Sequence, residues 1–355
     1  MWEFTELFTP AVIAAQWEEA YSNTISYFGA GLFPSRKKAG LDLAWLKGSK
    51  GVPVSLMPSA FDAKATFRDR IGLEKLETEM PFFREGFKIK ERDRQELLRI
   101  QDSKDPYAQQ IIAHVFDDAN ELIDGANVVP ERMRMSLLFA DNGNATIAIQ
   151  ANGVDYSYNY DPNGTWKASN YKALTSTAKW DAPTTADPFA DIEERKTAAR
   201  TRNGTELVTL VMNTNTFNVL SKVDAIKDRF LTVNGRAVAY LTSREIANVL
   251  RDTTGMNIAL YDKVYKDESG TAHAFVPNGY VALIPAGALG STWYGTTPEE
   301  ADLRGSGKAE VSIVNTGVAL SREIQQHPVN INLFASEIVL PSYERMDDVH
   351  LMKVY

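Results

Sequence analysis

From Pro106 to Phe139 the sequence commits to one long helical tract. Asp105 can cap it and Pro106 suits the first helical position. Ile111, Ile112, Val115, Phe116, Ala119, Leu122 and Ile123 then recur at helical spacing and draw a broad apolar stripe. Gly125 interrupts the stripe, and Pro130 is expected to start a second helical piece, "PERMRMSLLFA". A tract of this length needs an apolar surface along most of its side. The strands that could supply one lie both before and after it.

Before the tract, "TPAVIAAQWEEAY" reads as a helix capped at Thr9, with Ile13, Trp17 and Tyr21 forming a stripe. That stripe can pack on its own core or serve as an arm on a neighbouring molecule, and both readings stay open. The chain then turns strand-like. Leu41, Leu43 and Trp45 precede the polar "KGSKG", and Val52, Val54 and Leu56 open a second run that enters "SAFDAKATFRDRIG". There Phe61, Ala63, Ala65, Phe67 and Ile71 share one face, while Asp62, Lys64, Arg68 and Arg70 share the other. The pair predicts a two-stranded ribbon over residues 40–71, turning near Lys47–Gly51. Such a ribbon is marginal alone in water and needs a surface to lie on.

After the tract, Asn152-Gly153 between "ATIAIQ" and "VDYSYNY" predicts a tight hairpin. Asp187-Pro188 predicts a helix start and Asn203-Gly204 its end. "ELVTLVMN" reads as a buried strand, and Thr216 to Ser221 as helical. "REIANVL" reads as a helix with a Thr242/Glu245 capping box. "MNIALYDKVYKD", "AHAFV", "YVALIPA", "KAEVSIVNTGVAL" and "INLFASEIVLPS" read as strands. Strands and helices do not alternate strictly, which predicts a mixed α+β chain.

The chemistry is sparse. There is no cysteine among 355 residues, hence no disulfide, thiolate metal site or thiol nucleophile. His114, His273, His327 and His350 are scattered, and none has a metal-binding partner one helical turn away. No nucleophile elbow or phosphate loop occurs, and "GAGLFP" lacks the third glycine of a dinucleotide loop. Glu299-Glu300 after Pro298 reads as acid at a helix start. No catalytic, cofactor or metal residue is assigned, and no enzyme is expected. The amino terminus does not read as a secretory signal and no run is long enough to span a bilayer, so a cytosol-like compartment and no membrane partner are expected. The formal charge is −8, although residues 31–100 hold 15 Lys and Arg against 10 Asp and Glu. An acidic chain of this kind is expected to touch nucleic acid only weakly and without sequence preference.

Several segments together resemble one family. "LFPSRKKAGLDLAWLKG", "PSAFDAKATFRDRIG", "TEMPFFRE", "WDAPTTADPFADIEE", "LVTLVMNTNTFNVL" and "PNGYVALIPAGALGSTWYGTTPEEADL" are similar, in order, to the tailed-phage major capsid protein E family, the lambda type. The resemblance runs from residue 9 to about 345 and is most specific in its first block. It implies the Hong Kong phage type of capsid fold: an arm over 1–39 and an extended two-stranded E-loop over 40–79. A peripheral domain with a spine helix would follow over 80–160, an axial domain over 161–307, and strands returning to the peripheral domain over 308–355. Gly125 could bend or break the spine. The function implied is that of a head subunit forming pentamers and hexamers around packaged double-stranded DNA, in the virion and, during assembly, the host cytoplasm. Some relatives carry a scaffolding segment before the arm. Here the arm comes first, which implies a separate scaffolding protein, with a portal protein and room for a decoration protein as further partners. Asp62, Lys64, Arg68 and Arg70 are the expected E-loop contacts between subunits, and Ile13, Trp17 and Tyr21 the expected arm contacts. A cargo-compartment shell of the same fold, or another phage tail or decoration component, are the alternatives.

Overall fold

The structure is a computed structural model that describes residues 8–21, 26–47, 74–91, 95, 106–151, 153–234, 241–307, 309–327 and 329–355. Helices and strands are mixed without strict alternation, as expected. The chain divides into two compact units. One comprises Met1–Ala44, Glu77–Met133 and Ser291–Ser342, the other Trp45–Leu76, Arg134–Gly290 and Tyr343–Tyr355.

The first unit is organised by the strand Val329–Ser342. Antiparallel Val318–Gln326 flanks it on one side, and Phe82–Ile89 pairs along Ile331–Ile338 on the other. Its last residues, Val339–Ser342, pair with Ser291–Tyr294, which pairs in parallel with Ser35–Lys37. Glu310–Val314 forms the edge beside Val318–Gln326. The helix Pro10–Tyr21 starts where Thr9 and Pro10 place it, with the Val12 amide donating to Thr9 Oγ1 at 3.3 Å. It buries Ile13, Ala14 and Trp17 with Phe116, Ala119 and Ile123 of the long helix and with Leu320, Ile331 and Leu333 of the sheet.

The long helix, Pro106–Leu138, has 33 residues and spans about 50 Å. It runs through both Gly125 and Pro130, so the expected interruption and restart do not occur. Pro130 forfeits one helical hydrogen bond and Gly125 costs about 1 kcal/mol. Phe116, Ala119 and Ile123 before them, and Met133, Met135, Leu137 and Leu138 after them, are buried, and this burial outweighs the two local penalties.

In the same sheet Gly86 faces Phe334, and a Cβ at residue 86 would stand 2.4 Å from the ring. The aromatic face takes the place that a side chain would occupy, which ties this glycine to that phenylalanine.

The second unit holds a five-stranded sheet in the order Tyr171–Ala173, His350–Lys353, Tyr280–Pro285, Leu207–Met212, Asn257–Leu260. Every residue of Tyr280–Pro285 is buried. The helices Pro188–Asn203, Thr214–Leu220 and Ser243–Thr254 supply Ile192, Phe217, Leu220, Ile246 and Leu250 to its core, with Trp180. The caps are those read from the sequence. Asp187 accepts from the Ala190 amide at 3.1 Å. Thr242 and Glu245 complete their box, with the Thr242 amide donating to Glu245 Oε2 at 2.7 Å. The hairpin Thr146–Ala151 with Val154–Asn159 turns at Gly153, whose φ is 78°.

Two strand expectations are corrected. "MNIALYDKVYKD" is not one strand. Asn257–Leu260 lies at the sheet edge, and Val264–Lys266 instead pairs with Ala272–Ala274. Between them Tyr261 is buried and Asp262 turns to the start of another helix. There it accepts from the Thr214 amide at 2.7 Å and from Thr214 Oγ1 at 2.5 Å. Asp42–Lys47 forms its ladder with Glu74–Glu79, not with a run beginning at Val52. Alternation alone does not choose between partners when two candidate runs follow one another. The helix Asp224–Asn234 was not apparent in the sequence.

Candidate assembly surfaces

The strand Asp42–Lys47 alternates in exposure, with Leu43, Trp45 and Lys47 inward. A lysine at the inward position needs partners. In the second unit Lys47, only 3% exposed, donates to the Tyr160 carbonyl at 3.1 Å and stands 3.7 Å from Asp161 Oδ1. The Trp45 and Tyr160 rings lie 5.3 Å apart. Asp161 also accepts from the amides of Trp166 at 3.1 Å and Lys167 at 2.9 Å. Burial alone would raise its carboxyl. The two amides, the Lys47 cation and the Thr165 hydroxyl outweigh burial and hold it below the usual carboxylate range. Asp347 behaves oppositely: burial raises it in spite of Lys47 and Arg202.

In the first unit the segment Glu299–Leu303 carries the acidic pair expected at a helix start. The structure gives these carboxylates specific partners. Glu299 is buried, pairs with Arg84 and accepts from Ser336 Oγ at 2.8 Å. Glu300 pairs with Lys37 at 2.5 Å. Nearby on the sheet, Arg322 pairs with Glu310 at 2.8 Å. A cavity of about 390 Å³ opens here, lined by Arg84, Glu299, Ser321, Arg322, Glu323 and Phe334 among others. Lys37 and Glu300 are 263 residues apart, so no local pattern announces the pair.

The expected contact residues fare differently. Asp62, Lys64, Arg68 and Arg70 lie outside the described residues. Ile13 and Trp17 are 0% and 2% exposed within their own unit, and Trp17 Nε1 donates to Asp124 Oδ1 at 2.8 Å. The Tyr21 side chain, like that of His114, lies outside the described residues. His273 belongs to a hairpin, its Nε2 2.8 Å from Asp267 Oδ2. His350 is 1% exposed, and burial next to Arg195 and Arg202 pulls its pKa down to about 4. Among the described residues, no three of His, Asp and Glu gather as a metal site. No described helix is long and apolar enough to cross a membrane.

Comparison with known proteins adds a family and a fold. The family model described as phage major capsid protein E matches residues 9–350. A structure described as the capsid protein of an Escherichia coli CFT073 prophage is similar with a TM-score of 0.60 and 13% identity, covering 97% of each chain. A phage-related protein from Bordetella bronchiseptica RB50 is similar with a TM-score of 0.52 and 13% identity, again over 97% of each chain. No curated protein matches. The shared fold is the Hong Kong phage type of capsid fold.

Proposed function

The chain belongs to the phage major capsid protein E family, and from that premise we propose how it builds a head. As a tailed-phage major capsid protein it is a virion component that assembles with copies of itself. The family match over residues 9–350 carries this reading and favours neither a cargo compartment nor a tail component.

The copies form pentameric and hexameric rings through heterologous contacts that close by rotation. The rings join into a shell around double-stranded DNA. Assembly takes place in the host cytoplasm, with a separate scaffolding protein and a portal protein, and the finished shell can accept a decoration protein. The role is structural and not catalytic. The net charge of −8 keeps the subunit from gripping the DNA that is packed against it.

Asp62, Lys64, Arg68 and Arg70 make contacts between subunits that set register more than they add affinity. The helix carrying Ile13, Trp17 and Tyr21 contributes the arm contact. Because Ile13 and Trp17 are occupied in their own core, that contact falls on its exposed side, Ala11, Val12, Ala15 and Gln16.

Electron microscopy of the expressed protein, alone and with its genomic neighbours, tests the reading. Closed shells are expected, whereas tubes, isolated trimers or particles without fivefold vertices overturn it. Reversing charge at Arg68 and Arg70 together is expected to abolish shells while leaving a folded subunit.

A further inference from the structure

We propose that the cavity bounded by Arg84, Glu299, Arg322 and Glu323 is the seat for the charged face of residues 59–72 of a neighbouring copy. The proposal rests on the shell-subunit reading above and gives the ribbon a named counter-surface.

The cavity, about 390 Å³, mixes apolar Leu303 and Phe334 with two guanidinium groups and two carboxylates. Its charges are held in place. Arg84 is 46% exposed, yet its guanidinium lies 4.9 Å from the Phe82 ring centroid and pairs with Glu299. Arg322 is drawn inward, 6% exposed, by Glu310. Glu323, next along the strand, faces solvent.

This balance selects the occupant. A phosphate or nucleic-acid backbone would meet the carboxylates of Glu299 and Glu323. A bare cation would meet Arg84 and Arg322. A segment bearing both signs at short intervals satisfies all four. Residues 59–72 are such a segment, with Asp62 to answer an arginine and Arg68 and Arg70 to answer the glutamates. Their alternating apolar residues would cover Leu303 and Phe334.

Chain length points the same way. Residues 48–73 lie between the paired strands Asp42–Lys47 and Glu74–Glu79. Doubled back and extended at about 3.3 Å per residue, that length reaches ~40 Å. This exceeds the ~30 Å width of a small domain. Its far end therefore falls beyond the domain that roots it, where other copies stand in an assembled shell.

Because the chain has no cysteine, a pair introduced as Glu323→Cys with Arg68→Cys reports on this contact alone. Oxidised particles are expected to give a ladder of disulfide-linked multimers, absent from each single variant and from unassembled subunits. In parallel, Glu323→Arg is expected to cut shell yield at least tenfold. Adding Arg68→Glu is expected to restore it. Glu323 is exposed, so circular dichroism and subunit unfolding should match the parent protein.

Shells of normal yield from the Arg68→Glu, Arg70→Glu variant would overturn the ribbon reading itself. If that variant blocks assembly while Glu323→Arg assembles normally, the ribbon reading stands and the seat is wrong. Loss of shells without rescue, together with no disulfide ladder, also overturns the seat.

Discussion

Lys47 closes on the main-chain carbonyl of Tyr160, 113 residues away in sequence, at 3.1 Å. It is the last residue of the strand Asp42–Lys47, where the described part of the ribbon ends. Its partners, Tyr160 and Asp161, are buried. The root of the ribbon is thus keyed into the second unit by a charge with nowhere else to go.

Replacing Lys47 by Met keeps the stem and removes the charge. The Tyr160 carbonyl would lose its donor and Asp161 its cation. The expected loss is about 2 kcal/mol by urea unfolding. Hydrogen exchange should also speed up at Asp42–Lys47. A stability equal to the parent protein would show that the lysine is not engaged.

Trp17 separates two readings of the amino-terminal helix. Packed on its own core, Trp17→Ala should destabilise the unassembled subunit by about 3–5 kcal/mol. Trp17→Phe, losing only the bond to Asp124, should cost about 1 kcal/mol. If the helix packed only on neighbours, the unassembled subunit would unfold at an unchanged denaturant concentration.

Gly86→Ala should be destabilising by about 1–3 kcal/mol, because the new methyl would meet the Phe334 ring at 2.4 Å and the Leu333 carbonyl at 2.7 Å. Part of that penalty should vanish in Phe334→Ala, where the ring is gone. Additive effects of the two substitutions in a double-mutant cycle would refute the contact.

His350 gives stability a pH dependence. Its folded-state pKa is pulled down to about 4, below the ordinary 6.5, by burial and by the nearby Arg195 and Arg202. Between these values the unfolded chain binds a proton that the folded chain refuses. Stability from this group is therefore complete above about pH 6.5 and is lost as pH falls toward 4. The loss is about 3 kcal/mol at most. Asp347, raised by burial, gives the opposite slope at lower pH. The difference between the parent protein and His350→Leu isolates the histidine: the variant should show a flatter decline between pH 6.5 and 4. Parallel pH profiles would refute the assignment.

The features legible in the sequence were those whose causes are local. Asp187 with Pro188 and the Thr242/Glu245 box use neighbours within one helical turn, and the Asn-Gly turn uses two residues. The family resemblance likewise rested on contiguous segments. What escaped was decided at a distance. The passage of the helix through Pro130 depends on burial of Met133, Leu137 and Leu138. The break after Leu260 depends on the amide of Thr214. Lys37 and Glu300, or Arg84 and Glu299, meet only because strands far apart in the chain share one sheet. Glu299-Glu300 drew notice as a pair, but for its place at a helix start and not for its cations.

The strand Val329–Ser342 pairs with Val318–Gln326 and Phe82–Ile89, and then, from Val339, with Ser291–Tyr294. Deleting one residue near its middle would turn every later side chain to the opposite face. The remaining Phe82–Ile89 pairings and the whole Ser291–Tyr294 ladder would then be mismatched together. The strand acts as a ruler for its unit, and an error on it cannot be confined to one neighbour. In a particle made of many copies, such an error would be repeated at every position.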